Sequence, residues 1–118
     1  MKLSKDKLST TLTPLGRGMF LYTAFHEESF VPVGSLWVTG STTSSKKFGD
    51  RTVYEVLDCY VPHWARRNGI QSYLQDQLTD QGIILITGTG SREGGLSFMK
   101  AKGWKLIKET GHWYKEKK

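Results

Sequence analysis

Residues 52–80 limit what this chain can become more than any other stretch does. Thr52-Val53-Tyr54-Glu55-Val56-Leu57-Asp58-Cys59-Tyr60-Val61 is crowded with β-branched and aromatic side chains, which suit a pleated, half-buried strand. Pro62 withholds the N–H that a ladder needs, so the strand should end there. Further on, Ile70, Tyr73, Leu74 and Leu78 recur on one helical face. Between strand and helix lies a short basic turn, Arg66-Arg67-Asn68-Gly69. A helix start carries unpaired N–H groups and the positive end of the helix dipole, and a glycine there lets backbone approach a ligand closely. Strand, basic turn and helix start together predict a cradle for phosphate.

The rest of the composition sets bounds. At 118 residues the chain is expected to be one domain, 1–118, large enough to bury a core without metal or disulfide staples. The first seven residues are polar and predict no signal peptide. No apolar run approaches the roughly 18 residues that a bilayer span requires. A single cysteine, Cys59, forms no internal disulfide and suits a reducing cytoplasm. With three scattered histidines it makes no metal-ligand cluster, so no metal is expected.

The net charge is +6. Arg66, Arg67 and Arg92 could serve a phosphorylated ligand, whereas Lys2, Lys5, Lys7 and the lysines after Gly103 are read as solvated. Trp and Tyr lie among the C-terminal lysines, as on some nucleic-acid surfaces, but no recognised nucleic-acid motif accompanies them.

Along the chain, Gly18–His26 and Val33–Thr39 read as an antiparallel pair joined by a short connection. Gly40–Asp50 lacks periodicity and reads as a flexible loop. Ile83–Thr87 is short and wholly apolar, as expected of a strand buried on both faces. After a further helix, Trp104–Ile107 and His112–Lys115 should form a hairpin. The succession strand, helix, strand from Thr52 onward implies a parallel pair inside an otherwise antiparallel, mixed sheet. The fold class is α/β in the broad, mixed α+β sense.

Val61-Pro62 followed by Arg66-Arg67-Asn68-Gly69-Ile70 resembles the acetyl-CoA signature of the GNAT superfamily of N-acetyltransferases. Arg66 and Gly69 match two of its fixed positions; Gln71 stands where the family usually has Gly or Ala, so its side chain must point away from the phosphates. Phe98-Met99-Lys100-Ala101-Lys102-Gly103-Trp104 similarly resembles the segment in which the family's fourth helix runs into the next strand. The resemblance implies a GNAT-like sheet whose parallel pair splays around CoA. It implies pyrophosphate contacts from Arg66, Arg67, Asn68, Gly69, Ile70, Gln71 and Ser72, with pantetheine alongside Cys59, Tyr60 and Val61, and Phe98 near the cofactor. The one or two helices that usually separate the family's first two strands do not fit the roughly seventeen residues before Gly18. The resemblance thus leaves either an open acceptor side or one completed by a second subunit in a homodimer.

Direct acetyl transfer to an amine requires a base, stabilisation of an oxyanion, and departure of a thiolate. Glu55 is the candidate base. On a regular strand it would share a face with Val53, Leu57 and Cys59, while Asp58 would lie opposite with Tyr54 and Tyr60. A Glu paired with a cross-strand Lys, or exposed at a bulge, is the structural alternative. Cys59 is read as a small buried residue and His63 as a turn residue. Met99 replaces the Tyr with which many members protonate the thiolate, and Arg92 stands where many have Asn; Ser91, Ser97 or Tyr60 could substitute. Thr87–Gly95 lacks the ending of a P-loop. The expected activity is an acetyl-CoA-dependent N-acetyltransferase acting on a protein, peptide or small amine, without metal or membrane. The rival expectation is a weak or inactive GNAT-fold protein that uses its basic surface to bind protein or nucleic acid.

Overall fold

The computed structural model describes residues 2–40, 48–87, 103–108 and 111–117. Seven strands form one sheet: β1 (Leu8–Gly16), β2 (Met19–His26), β3 (Gly34–Gly40), β4 (Val53–Tyr60), β5 (Ile84–Ile86), β6 (Lys105–Ile107) and β7 (His112–Lys115). Their spatial order is β1-β2-β3-β4-β5-β7-β6. Every neighbouring pair is antiparallel except β4 and β5, which run parallel. Helix α1 (Ile70–Thr79) connects that pair. The architecture is mixed α+β with a mostly antiparallel sheet.

The helix lies on one face because its apolar stripe matches that of the sheet. Ile70, Leu74 and Leu78 are buried with Ala24, Leu36, Val38 and Leu85 in one core cluster. The helix start approaches β3 closely: a Cβ on Gly34 would meet the Ile70 Cγ2 at 2.7 Å and the Tyr60 carbonyl oxygen at 3.3 Å. Midway along the helix, the buried Lys115 Nζ donates to Gln75 Oε1 at 2.9 Å, tying β7 to the helix. The opposite sheet face carries a smaller cluster of Phe48, Val53, Ile84, Ile86 and Ile107. Strand β5 therefore contributes buried side chains to both faces, as its unbroken apolar run requires.

The strand β1 is the element the sequence reading passed over. The residues before Gly18 are indeed not helical beyond a 3-10 turn at Lys5–Lys7; they run on as a nine-residue strand. Its Leu-Ser-Thr-Thr-Leu-Thr stretch has the β-branched content of a strand, but little of it is buried. A Pro14 inside an edge strand, with an irregular register beside it, is where proline is tolerated. Residues 41–47 of the expected loop, and the expected helix before Gly103, lie outside the described residues.

Candidate phosphate-binding site

Strand β4 is paired differently along its length. Val53, Tyr54 and Glu55 oppose Ile84, Leu85 and Ile86 of β5, and the ladder then stops, although β4 continues to Tyr60. On its other edge β4 stays paired with β3 throughout, from Gly40↔Tyr54 to Ser35↔Tyr60. Among the described residues, the β5-facing edge of Val56–Tyr60 is thus open beyond the end of that ladder.

A bulge lies just beyond the end of the β4–β5 ladder. Val38 opposes Val56 and Trp37 opposes Asp58, leaving Leu57 as an extra residue. An inserted residue reverses the alternation of every side chain after it. The regular-strand expectation is therefore corrected: Asp58 and Tyr60 fall on the face of Val53 and Glu55, while Cys59 falls on the α1 face with Tyr54 and Val56. Glu55 is half-buried. Its cross-strand partners are Thr39 and Ile86, so no lysine opposes it, and the bulge is at Leu57 rather than at Glu55.

Cys59 is exposed, not buried as expected. Enough protein nevertheless surrounds the sulfur that partial burial, and secondarily the Asp58 charge, push the thiol above its ordinary value. A thiol held protonated is a weak nucleophile.

Past Tyr60 the chain makes a 3-10 turn at His63–Ala65, then two left-handed residues, Arg67 at φ 68° and Gly69 at φ 70°. The arginine in that conformation costs roughly 1–2 kcal/mol, while Gly69 adopts it freely. Gly69 is the N-cap of α1 and offers no side-chain cap. The first helical bond runs from the Tyr73 N–H to the Gly69 carbonyl at 2.9 Å. The amides of Ile70, Gln71 and Ser72 precede that bond and have no partner within the helix.

Two side chains hold the turn in shape. Asn68 Nδ2 donates to the carbonyls of Ala65 at 2.9 Å and Arg66 at 3.2 Å, and its Oδ1 accepts the Leu3 N–H at 2.7 Å. Gln71 runs back onto the sheet, where Nε2 donates to the Ser35 carbonyl at 3.0 Å and the Tyr60 carbonyl at 3.3 Å. The residue that departs from the resembled signature therefore fastens the helix start to β3 and β4. Arg66 Nε donates to the Val61 carbonyl at 3.2 Å.

A pocket of about 410 Å³ opens here, lined by Val61, Ala65, Arg66, Arg67, Gly69, Ile70, Gln71 and Ser72. Seven of these were expected site residues. Cys59 and Tyr60 lie instead along the open edge of β4 that leads to the pocket, and Asn68 sits behind its wall as a brace. Phe98, Met99, Arg92, Ser91 and Ser97 lie outside the described residues. Neither guanidinium forms an ion pair among the described residues, where the carboxylate partners belong to Lys7, Arg51, Lys105 and Lys115. Unneutralised cations beside free helix amides favour an anion. No metal-ligand group occurs among the described residues, nor any helix long and apolar enough to cross a membrane.

The sequence reading missed Lys5. A Cβ on Gly69 would meet the Lys5 Cε at 2.9 Å and its Nζ at 3.2 Å. No local signal could announce a contact between residues sixty-four positions apart. Compared with protein-family models and with curated proteins, the sequence matches none.

Proposed function

We propose that this chain is an acetyl-CoA-dependent N-acetyltransferase of the GNAT type, a cytoplasmic enzyme that moves an acetyl group directly to an amine of a protein, a peptide or a small molecule. One observation carries most of the weight: six of the seven residues expected to cradle a pyrophosphate line a single pocket at an uncapped helix start. The left-handed Gly69 brings bare backbone to its wall, with the Lys5 side chain lying where a Cβ would stand.

Further support comes from the sheet. Among the described residues the parallel pair is β4–β5, its ladder ends at Glu55, and α1 connects the two strands. The open edge of Val56–Tyr60 offers backbone N–H and C=O groups to the amides of a pantetheine arm, as an added strand would use them. The bulge at Leu57 turns β4 at that opening, where bulges commonly re-aim side chains.

In the reaction so proposed, the amine nitrogen attacks the acetyl carbonyl, a C–N bond forms, the C–S bond breaks and CoA leaves as the thiolate. Glu55, at the end of the parallel ladder, takes the proton from the amine, directly or through water. A thiol's ordinary pKa of about 8.5 lets the thiolate leave without a dedicated acid.

Calorimetry with acetyl-CoA tests the cofactor. Wild-type protein should bind it. Gly69→Glu puts bulk and negative charge at the phosphates and should abolish binding while the protein stays folded. Gly69→Ala, which shares the backbone strain but not the charge, should retain part of the affinity. Equal affinity in wild type and Gly69→Glu removes the pocket from the proposal. Tight, salt-resistant binding to a defined nucleic acid in a gel shift, with no affinity for acetyl-CoA, favours the binding-protein alternative.

A further inference from the structure

The N-terminal segment reaches the phosphate-binding turn along a defined route. Leu3 is 4% exposed and belongs to the main core cluster. Its N–H is held at 2.7 Å by the Oδ1 of Asn68, the side chain that also braces the turn. Two residues later the chain enters the 3-10 turn Lys5–Lys7, closed by the Lys7 N–H on the Ser4 carbonyl at 3.2 Å. That path delivers the Lys5 ammonium against Gly69, which itself lines the pocket.

The resulting charge arrangement is unfavourable as it stands. A lysine ammonium near a helix start faces the positive end of the dipole, and Arg66 and Arg67 stand in the same wall. Lys5 has no carboxylate partner among the described residues, although its neighbour Lys7 pairs with Glu28 at 3.4 Å. A lysine side chain is long and free to turn into solvent. Lys5 does not itself line the pocket, but it lies against Gly69, which does, and three cations so placed become mutually compatible when a multiply charged anion lies among them.

We propose that Lys5 is a further ligand-binding residue, the third cation of the site, and that it contacts the diphosphate of the bound molecule. That the diphosphate belongs to CoA rests on the acetyltransferase proposal; that Lys5 serves an anion in this pocket does not. The N-terminal segment is then part of the binding site, with Asn68 as the positioning residue that couples it to the turn.

The test is calorimetry with two probes, inorganic pyrophosphate and acetyl-CoA, on wild type, Lys5→Gln, Lys5→Arg and the remote control Lys117→Gln. Lys5→Gln should weaken both probes by about tenfold, the size of one charge-assisted hydrogen bond. Lys5→Arg should restore most of the affinity and Lys117→Gln should change nothing. If wild type binds either probe and Lys5→Gln binds it as tightly, Lys5 is not a ligand, and the cofactor proposal is untouched. If pyrophosphate binds in a Lys5-dependent way and acetyl-CoA does not bind, the cofactor proposal fails and Lys5 stands. If wild type binds neither, both fall.

Discussion

The two halves of β4 belong to one strand and behave as two materials. Tyr54 and Glu55 are paired on both edges, and the adjoining Val53, paired with β5, is buried in the smaller cluster. Among the described residues, Asp58 to Tyr60 are paired on one edge only, and every residue from Leu57 to Tyr60 is exposed. Backbone groups left open at a sheet edge are templates for another chain or ligand. The same strand thus supplies a rigid support and, about 10 Å further on at the usual rise per residue, an unfilled edge leading to the basic turn. Stability should depend on the first half and chemistry on the second.

The sharpest way to break this comparison is to cut the support. Leu85, fully buried opposite Tyr54, should cost about 2–5 kcal/mol when replaced by Ala, the usual range for a buried leucine truncation. Urea denaturation measures it. A loss below about 0.5 kcal/mol would mean that the closed half is not where the sheet derives its cohesion.

Next in size is Glu55, which stands at the end of the parallel ladder. Under the acetyltransferase proposal, Glu55→Gln should slow turnover on the order of a hundredfold at neutral pH. The rate should recover partly at higher pH, where more of the amine is already unprotonated, and acetyl-CoA affinity should barely change. The assay first needs an acceptor, found by screening polyamines, aminoglycosides and peptides with labelled acetyl-CoA. Full turnover in Glu55→Gln across the pH range moves the base to Asp58, His63 or water.

The smallest effect belongs to the open half. Burial first, and then Asp58, raise the Cys59 thiol, so alkylation by iodoacetamide should set in at higher pH than for a free cysteine. Asp58→Asn should bring the midpoint partway down, because burial remains. The sign for stability follows. An acid whose folded pKa is raised favours the folded state fully below its unfolded pKa, and that contribution is lost as pH climbs into the alkaline range. A midpoint at or below that of free cysteine would contradict the partial enclosure of the sulfur.

Much of this was legible beforehand, and the reasons are local. The β-branched run ending at Pro62, the helical stripe from Ile70 to Leu78 and the apolar Ile84–Ile86 each carry their periodicity or length in the residues themselves. The pocket was legible for the same reason: seven of its lining residues are nearly contiguous, so a strand, a turn and a helix start suffice to gather them. Strand β1 was harder to see because an exposed edge strand buries little and leaves no strong alternation to read.

By itself, then, the sequence determined the elements from Val53 to Ile86, the glycine at the helix start and the basic composition of the turn, all consequences of backbone sterics and short-range patterning. Tertiary structure alone decided the rest. The bulge at Leu57 arises from the match between β3 and β4, not from any residue in β4, yet it sends Asp58 to the face of Glu55 and Cys59 to the face of the helix. Gln71 acquired its brace from the carbonyls of two strands. Lys5 reached Gly69 because Leu3 found a place in a core built by distant residues. Contacts of that kind depend on which surfaces meet when the chain closes on itself, and no spacing along the chain records them.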